Sequence, residues 1–299
     1  MEKVIILMGA TGVGKSETSI KLAKKFDMEI ISADSVQIYK EFDIGSAKLK
    51  QEEMSNVKHY GIDLIEADKE FTVSDFVEFT KTKIDEISQK NKLPMIVGGT
   101  GLYVKSLVEG YNFGGTAKQT ELRQELEAYY DNFGLEKLVE RLQKLSPELA
   151  KKVDCKNKAR VIRAIEIATY GGEKLSQKND KYDFKIIALN MPRELLYERI
   201  NKRCEKMLQQ GLIEEVRKLY EKYGECQPMR AIGYKEVLPY LKGEITEEQM
   251  KELISQHTRN YAKRQLTFMR GMENIEYFDV TESGYYERIE ESIKQWLIQ

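Results

Sequence analysis

The sequence predicts an α/β fold, a doubly wound parallel sheet with an all-helical insertion. Two observations carry this prediction. Short apolar runs alternate with amphipathic helical patterns near both ends of the chain, as they do in parallel sheets that helices cover on both faces. Between these parts lies a long stretch that shows helical periodicity and almost no strand pattern.

The first part of the chain begins with a strand and a helix. The apolar run VIILM at residues 4–8 predicts a buried strand, and the amphipathic pattern at residues 17–26 predicts the helix that follows it. Because strands then alternate with helical patterns, the strands are expected to run parallel in one sheet. Further predicted strands cover residues 29–32, 95–97, 184–189 and 275–278.

Helix signals dominate the last part of the chain. Pro192 suits a first helical turn, and a long charged helical pattern follows it to about residue 223. A second long pattern runs over residues 246–269. Thr246 and Gln249 fit a capping box at its start, and Gly271 fits a C-cap at its end.

The middle of the chain predicts a separate domain. Residues 115–183 carry helical periodicity in the segments LRQELEAYY, LEKLVERLQKL and ARVIRAIEIATY. We therefore predict a helical insertion domain at 115–183, which would bind RNA if the chain does. Residues 1–114 and 184–299 would form the catalytic core with a lid and C-terminal helices.

Composition excludes several classes of protein. The chain has 299 residues, of which 41% are apolar and 32% charged, so it is globular. Lys and Arg total 48 against 49 Asp and Glu, so any nucleic-acid surface must be local. No apolar run of about 18 residues and no leader pattern is present, which predicts a cytoplasmic protein without membrane contact. Three scattered cysteines and two histidines disfavour disulfides and zinc. We expect a monomer.

A phosphate-loop motif lies between the first predicted strand and helix. The segment GATGVGKS fits the pattern GxxxxGK[ST], which indicates a P-loop NTPase-like fold. Its glycines permit tight turns that aim backbone amides at an anion, its lysine adds a charge, and the hydroxyl of Ser16 can coordinate Mg²⁺. The predicted diphosphate or nucleotide site is Gly9, Ala10, Thr11, Gly12, Val13, Gly14, Lys15 and Ser16.

The carboxylate that P-loop ATPases usually carry at a strand end is missing from the expected places. The run at residues 93–97 continues into GGTGLY, and the run at 184–189 ends at Asn190. Asp34, after the second predicted strand, is left as the best carboxylate near the phosphates. It could orient or deprotonate a nucleophile, and it would equally suit a helix cap or turn.

Seven further blocks, in order along nearly the whole chain, resemble those of bacterial tRNA dimethylallyltransferases of the IPP transferase family. Their number and their shared order make the resemblance highly specific. The blocks are DSVQIY (34–39), DIGSAK (43–48), PMIVGGTGLY (94–103), RVIRAIE (160–166), RINKRCEKM with GLIEEV (199–216), AIGYKE (231–236) and TRNYAKRQLTF (258–268).

The resemblance implies transfer of a dimethylallyl group from its diphosphate to the exocyclic amine of an adenosine. That adenosine lies on the 3′ side of a tRNA anticodon, so the implied partners are the tRNA anticodon stem-loop and dimethylallyl diphosphate, with Mg²⁺ as cofactor. Arg199 and Arg203, at i and i+4, can project together over the phosphate loop, although a solvated helix face would look the same. The family pattern makes Arg203 catalytic and Arg199 its support.

The resemblance also assigns the acceptor side. Asp34 matches the residue that bonds the amine and takes its proton, and Thr100 matches a residue between the two substrates. Ser35, Val36 and Gln37 would line a base flipped out of the RNA.

Two basic tracts suit RNA phosphates despite the balanced charge. Residues 151–163 hold six basic side chains against Asp154 alone, and residues 257–270 hold four with interleaved aromatics. A solvated helix face is the alternative. In the first tract DCKN at 154–157 departs from the family's usual HPN. The predicted tRNA contacts, besides those of the acceptor pocket, are Arg123, Lys158, Arg160, Arg163, Lys263 and Arg264.

Three other functions stay open from the residues alone. A small-molecule kinase would use the same loop for ATP, but the missing strand-end aspartate counts against it. An adenylate isopentenyltransferase would share the chemistry, but it would not need the helical insertion or the basic tracts. A nucleotide-regulated RNA-binding protein would leave Asp34, Thr100 and Arg203 without a joint purpose.

Overall fold

The computed structural model describes residues 1–110, 120–170 and 181–299. Within these ranges, strands form one six-stranded sheet in the order β3-β2-β4-β1-β5-β6, and every neighbouring pair is parallel. The predicted fold class is therefore confirmed. The strands are β1 (Glu2–Gly9), β2 (Met28–Ser32), β3 (His59–Tyr60), β4 (Leu93–Gly98), β5 (Tyr182–Asn190) and β6 (Ile275–Asp279).

Strand β1 is one of the two middle strands of the sheet. Its residues from Val4 to Met8 are fully buried, because β4 and β5 flank it and helices pack against it. The five predicted strands are all present. The sequence analysis missed β3, whose two residues at the sheet edge carry no apolar run.

Helices connect the strands. The capping box at Thr246 is confirmed, since its amide donates to Gln249 Oε1 (2.8 Å) and its hydroxyl accepts from the Gln249 amide (3.2 Å). The charged helical pattern from Pro192 to about residue 223 forms two helices, because Gly211, at φ 99°, separates them. The helices of the core are α1 (Lys15–Phe26), α2 (Val73–Ser88), α3 (Gly101–Val108), α7 (Arg193–Gln209), α8 (Leu212–Tyr223), α9 (Val237–Leu241), α10 (Glu247–Arg270) and α11 (Tyr285–Leu297).

The chain divides into two compact units, residues 1–107 with 180–299 and residues 108–179. The regular elements in the described part of the second unit are the helices α4 (Thr120–Leu145), which is kinked at Gly134, α5 (Pro147–Lys152) and α6 (Lys158–Tyr170). Leu126, Leu138, Leu142, Val161 and Ile165 form its core. Of the limits predicted for the insertion, residue 115 lies outside the described residues, whereas residues 182 and 183 lie in β5.

No helix in the described ranges is both long enough and apolar enough to cross a membrane.

Candidate active site

The phosphate loop joins the buried end of β1 to the start of α1. Gly12 (φ 85°) and Gly14 (φ 109°) adopt the left-handed backbone that lets the chain turn this tightly. Gly14 is the N-cap of α1, and no side chain caps the first turn. The first amides of α1 are therefore available to an anion, which the helix dipole also favours.

Lys15 lies across its own loop. Its Nζ donates to the carbonyl oxygens of Gly9 (2.9 Å) and Ala10 (3.0 Å). Burial and, to a smaller extent, the charge of Arg203 lower the pKa of Lys15 to about 8, and the charge of Asp34 opposes both effects. Lys15, Arg203 and Asp34 thus form one electrostatic cluster.

Helix α7 brings both predicted arginines to the phosphate loop. Arg203 Nη1 donates to Thr11 Oγ1 (3.2 Å), and Arg199 Nη1 donates to the carbonyl oxygen of Val13 (3.4 Å). Burial lowers the pKa of Arg203, while Asp34 works in the opposite direction. The helix can lie this close because Gly12 has no side chain: a Cβ there would be 3.3 Å from Ile200. Both arginines therefore contact the loop, Arg203 as a half-buried residue and Arg199 as an exposed one.

Asp34 follows β2 and closes a turn with one carboxylate oxygen. Its Oδ1 accepts hydrogen bonds from the amides of Val36 (2.8 Å) and Gln37 (3.2 Å). This is the turn role that the sequence left open. It engages only Oδ1, so within the described part of the chain Oδ2 has no protein donor and can serve a ligand.

Two cavities meet at Asp34. The larger, of about 310 Å³, is bordered by Asp34 together with Thr11, Ser35, Val36, Arg203 and Arg264. The smaller, of about 60 Å³, is bordered by Asp34 together with Lys15, Ser16, Gln37 and His59. Gln37 thus borders the smaller cavity, whereas Ser35 and Val36 border the larger one. The Nε2 of Gln37 donates to the carbonyl oxygen of Ser46 (3.2 Å).

Helix α10 ties the GGTG turn after β4 to the phosphate loop. Gln265, 7% exposed, accepts from the amide of Thr11 (2.9 Å) and donates to the carbonyl oxygen of Gly99 (3.0 Å). Burial raises the pKa of Tyr261, and the neighbouring side chains of Thr100 and Gln265 oppose this shift. Sequence reasoning missed Gln265, and it noted Tyr261 only as one of the aromatics interleaved in the second basic tract. Gln265 and Tyr261 lie four residues apart in the TRNYAKRQLTF block, a spacing that could have placed them on one face.

The turn itself requires glycine. A Cβ on Gly99 would come within 2.2 Å of Gln265, and one on Gly101 within 2.2 Å of the Phe268 ring. Phe268 also borders an open site on α10 with Lys263 and Arg264, two of the predicted tRNA contacts. An aromatic ring beside two cations suits a nucleobase and its phosphate.

The predicted tRNA contacts of the second unit each have an acidic neighbour. Lys158 lies 3.7 Å from Asp131 and over the ring of Tyr130 at 4.1 Å. Arg123 and Arg163 both lie near the buried Glu166, at 3.7 and 3.0 Å. Arg160, the most exposed of the four, lies 3.4 Å from Asp154. Their positive charge is therefore partly balanced within the unit.

Comparison with known proteins identifies the family. The family model for IPP transferase matches residues 37–272. The chain belongs to this family. Among curated relatives, the tRNA dimethylallyltransferase of Halalkalibacterium halodurans is 39% identical over 298 residues, covering 97% of this chain and 95% of the relative. That of Finegoldia magna is 43% identical, covering 99% and 98%.

Solved structures agree with this IPP transferase assignment. The full-length tRNA isopentenylpyrophosphate transferase of Bacillus halodurans superposes with a TM-score of 0.76 at 39% identity, over 99% of this chain and 96% of that one. A eukaryotic dimethylallyltransferase acting on tRNA gives a TM-score of 0.78 at 29% identity, over 93% of this chain and 74% of that one.

The residues of this IPP transferase that could hold a metal are few. The described residues contain no cluster of three or more His, Cys, Asp and Glu side chains suited to an ion. Ser16 and Asp34 border the same small cavity and offer oxygen ligands. This sparse oxygen set fits Mg²⁺, which commonly takes one or two protein ligands and completes its shell with phosphate and water.

Proposed function

We propose that this IPP transferase family member transfers a dimethylallyl group from dimethylallyl diphosphate to the exocyclic amine of an adenosine in tRNA. The acceptor adenosine is the one on the 3′ side of the anticodon. The observation that carries the proposal is the cluster of Lys15, Arg203 and Asp34, in which two cations and one carboxylate interact at the junction of two cavities. The relatives named tRNA dimethylallyltransferase support the proposal.

The reaction exchanges a carbon–oxygen bond for a carbon–nitrogen bond and moves one proton from the amine to a base. The bond between the allylic carbon and the diphosphate oxygen breaks, and its electron pair leaves with the diphosphate. The amine nitrogen donates a pair to that carbon and then gives up one proton. The protein must therefore stabilise negative charge at one point and accept a proton at another.

Lys15, Arg203 and the first amides of α1 suit the leaving diphosphate. Lys15 would exchange its bonds to the loop carbonyls for phosphate oxygens. Arg199 would support the position of α7 over the loop through its contact with Val13. Mg²⁺, held by Ser16 and the diphosphate with Asp34 near by, would supply further positive charge to the leaving group.

Asp34 suits the proton transfer. The amides of Val36 and Gln37 hold its Oδ1, which orients Oδ2 for the adenine amine. Ser35 and Val36, on the border of the larger cavity, would contact the flipped base. Thr100, beside Tyr261, would lie between the two substrates.

The remaining basic residues suit the RNA backbone. Lys263 and Arg264 border the open site on α10, and the second unit would add Arg123, Lys158, Arg160 and Arg163. All these residues belong to one chain, which suits the expected monomer. A tRNA substrate would place the reaction in the cytoplasm.

The test is transfer from radiolabelled dimethylallyl diphosphate to unmodified tRNA, with AMP and ATP as competing acceptors. We expect label in tRNA alone, at a single adenosine that nuclease digestion locates beside the anticodon. Label in AMP or ATP would make the protein an adenylate isopentenyltransferase. Phosphoryl transfer from ATP without prenyl transfer would make it a kinase.

A further inference from the structure

The carboxylate of Glu215, on α8, collects hydrogen bonds from a segment far away in the sequence. We name residues 43–48 the DIGSAK loop. Glu215 Oε2 accepts from the amides of Ile44 (2.7 Å) and Asp43 (3.3 Å), and its Oε1 accepts from the amides of Ile44 (3.0 Å) and Gly45 (3.1 Å). Three successive amides of the loop thus converge on one side chain.

Tyr234 completes this arrangement. Its hydroxyl donates to Glu215 Oε1 (2.8 Å), and its ring is fully buried. The ring packs directly on Gly45, where a Cβ would lie 2.4 Å from ring carbons. Glu215 therefore satisfies four donors at once, and Tyr234 prevents the loop from moving toward the core.

The DIGSAK loop forms part of the larger cavity wall. Gly45 and Ser46 border that cavity together with Asp34 and Arg203. Ser46 also accepts from Gln37 Nε2 through its carbonyl oxygen, which connects the loop to the turn that Asp34 closes. A displacement of the loop would therefore change both the shape of the cavity and the support of that turn.

We infer that Glu215 is a positioning residue that fixes the acceptor side of the cavity for the nucleobase of the RNA substrate. The inference rests on the proposed function. The loop's one cation, Lys48, is 5% exposed at its side chain and bonds to Asp43, Asp63 and the carbonyl oxygen of Tyr39. The loop therefore brings no free positive charge to a diphosphate. We expect it to affect the binding of the acceptor RNA instead.

A glutamine at this position should not replace the carboxylate. One of its two terminal atoms becomes an NH₂ group, which would face amide N–H donors instead of accepting from them. The amide donors on that side would then lack a hydrogen-bond acceptor, and leaving such donors unpaired costs free energy.

The experiment compares Glu215→Gln with Glu214→Gln, its exposed neighbour, which forms an ion pair with Arg217 at 3.5 Å on the surface of the same helix. Steady-state kinetics and direct binding of dimethylallyl diphosphate are measured for both. We expect Glu215→Gln to raise the KM for tRNA about tenfold, which corresponds to about 1.4 kcal/mol of lost binding free energy for the acceptor RNA. The Kd for dimethylallyl diphosphate stays within about twofold of the wild-type value, because its ligands are elsewhere. The Glu214→Gln variant behaves as wild type.

Tyr234→Phe provides a second measurement if Glu215→Gln does not fold. It removes one donor and keeps the ring on Gly45, so we expect a smaller rise in the KM for tRNA, about two- to threefold, with unchanged diphosphate binding. An unchanged KM for tRNA in either folded variant, or an equal loss of diphosphate binding, overturns the inference. A wild-type protein that transfers no label to tRNA refutes the proposed function instead.

Discussion

The surroundings of Lys15 disfavour the protonated, charged form of its side chain. Burial and the nearby guanidinium of Arg203 bring its pKa to about 8, close to physiological pH. Because a diphosphate binds the protonated ammonium, the fraction of protonated Lys15 in the free protein controls binding. That fraction is high below pH 8 and falls as the pH rises through this value.

We therefore expect the Kd for dimethylallyl diphosphate to increase as the pH rises through about 8. Lys15→Ala should bind weakly without a transition near that pH, and its transfer rate should fall about a hundredfold, or about 3 kcal/mol. Its tRNA affinity should hardly change, since Lys15 donates its hydrogen bonds to the phosphate loop, where the diphosphate would bind. Calorimetric titration across the pH range checks this, with Lys21→Ala, an exposed lysine on the same helix, as control. The same pH transition in Lys15→Ala would contradict it.

Asp34 combines a structural and a chemical role on separate oxygens. In Asp34→Asn, the amide oxygen can still accept from Val36 and Gln37, so the turn and the binding of both substrates should survive. The variant cannot take a proton, so kcat should fall by about a hundredfold. Single-turnover rates and tRNA filter binding measure the two effects separately. Weakened diphosphate binding that added Mg²⁺ restores would instead assign Asp34 to the metal.

Helix α10 and the GGTG turn depend on each other through their close approach. In Gly101→Ala, the new Cβ meets the Phe268 ring at 2.2 Å, so helix or turn must shift. We expect a loss of about 1–3 kcal/mol in the free energy of unfolding. Chemical denaturation measures it, and Gly271→Ala, whose nearest neighbour is 3.4 Å away, is the control. Phe268→Leu in the same chain should restore part of the stability, and a Gly101→Ala protein as stable as wild type would refute the clash.

Local pattern predicted the elements whose signal is local. The strand at VIILM and the capping box at Thr246 follow from neighbouring residues, and the structure has both. Strand β3 is too short to show a period, and only its pairing with β2 defines it. Gln265 and Glu215 escaped prediction because their partners, at Thr11 and Ile44, are far away in sequence. Such polar side chains meet their partners only in the folded protein, so a local sequence pattern does not reveal them.

The whole sheet explains why the candidate site is compact. Strands β2, β4 and β1 are neighbours and parallel, so their carboxyl ends lie on one edge of the sheet. The turn of Asp34 follows β2, the GGTG turn follows β4, and the phosphate loop follows β1. Ligands of open α/β sheets commonly bind at this edge.

The nearly balanced charge of the whole molecule allows the contribution of the basic tract at residues 151–163 to RNA binding to be tested. Because the formal net charge is −1, RNA binding should depend on local cations. Replacing Lys158, Arg160 and Arg163 together by Gln should raise the KM for tRNA and lower the slope of log affinity against log salt by about 0.7–0.9 for each lost phosphate contact. Diphosphate affinity should stay unchanged. Lys137→Gln, on α4, is the control. An unchanged slope would assign these residues to a solvated surface.

The pairing of β1 with β5 also has a consequence for how the protein is made. Glu2 pairs with Tyr182 and Gly9 with Leu189, so β1 gains its second neighbour only after the insertion has been synthesised. Until then one edge of VIILM is open to other chains. The phosphate loop therefore reaches its final surroundings late in translation, and the open edge of the strand is a site of possible aggregation for that interval.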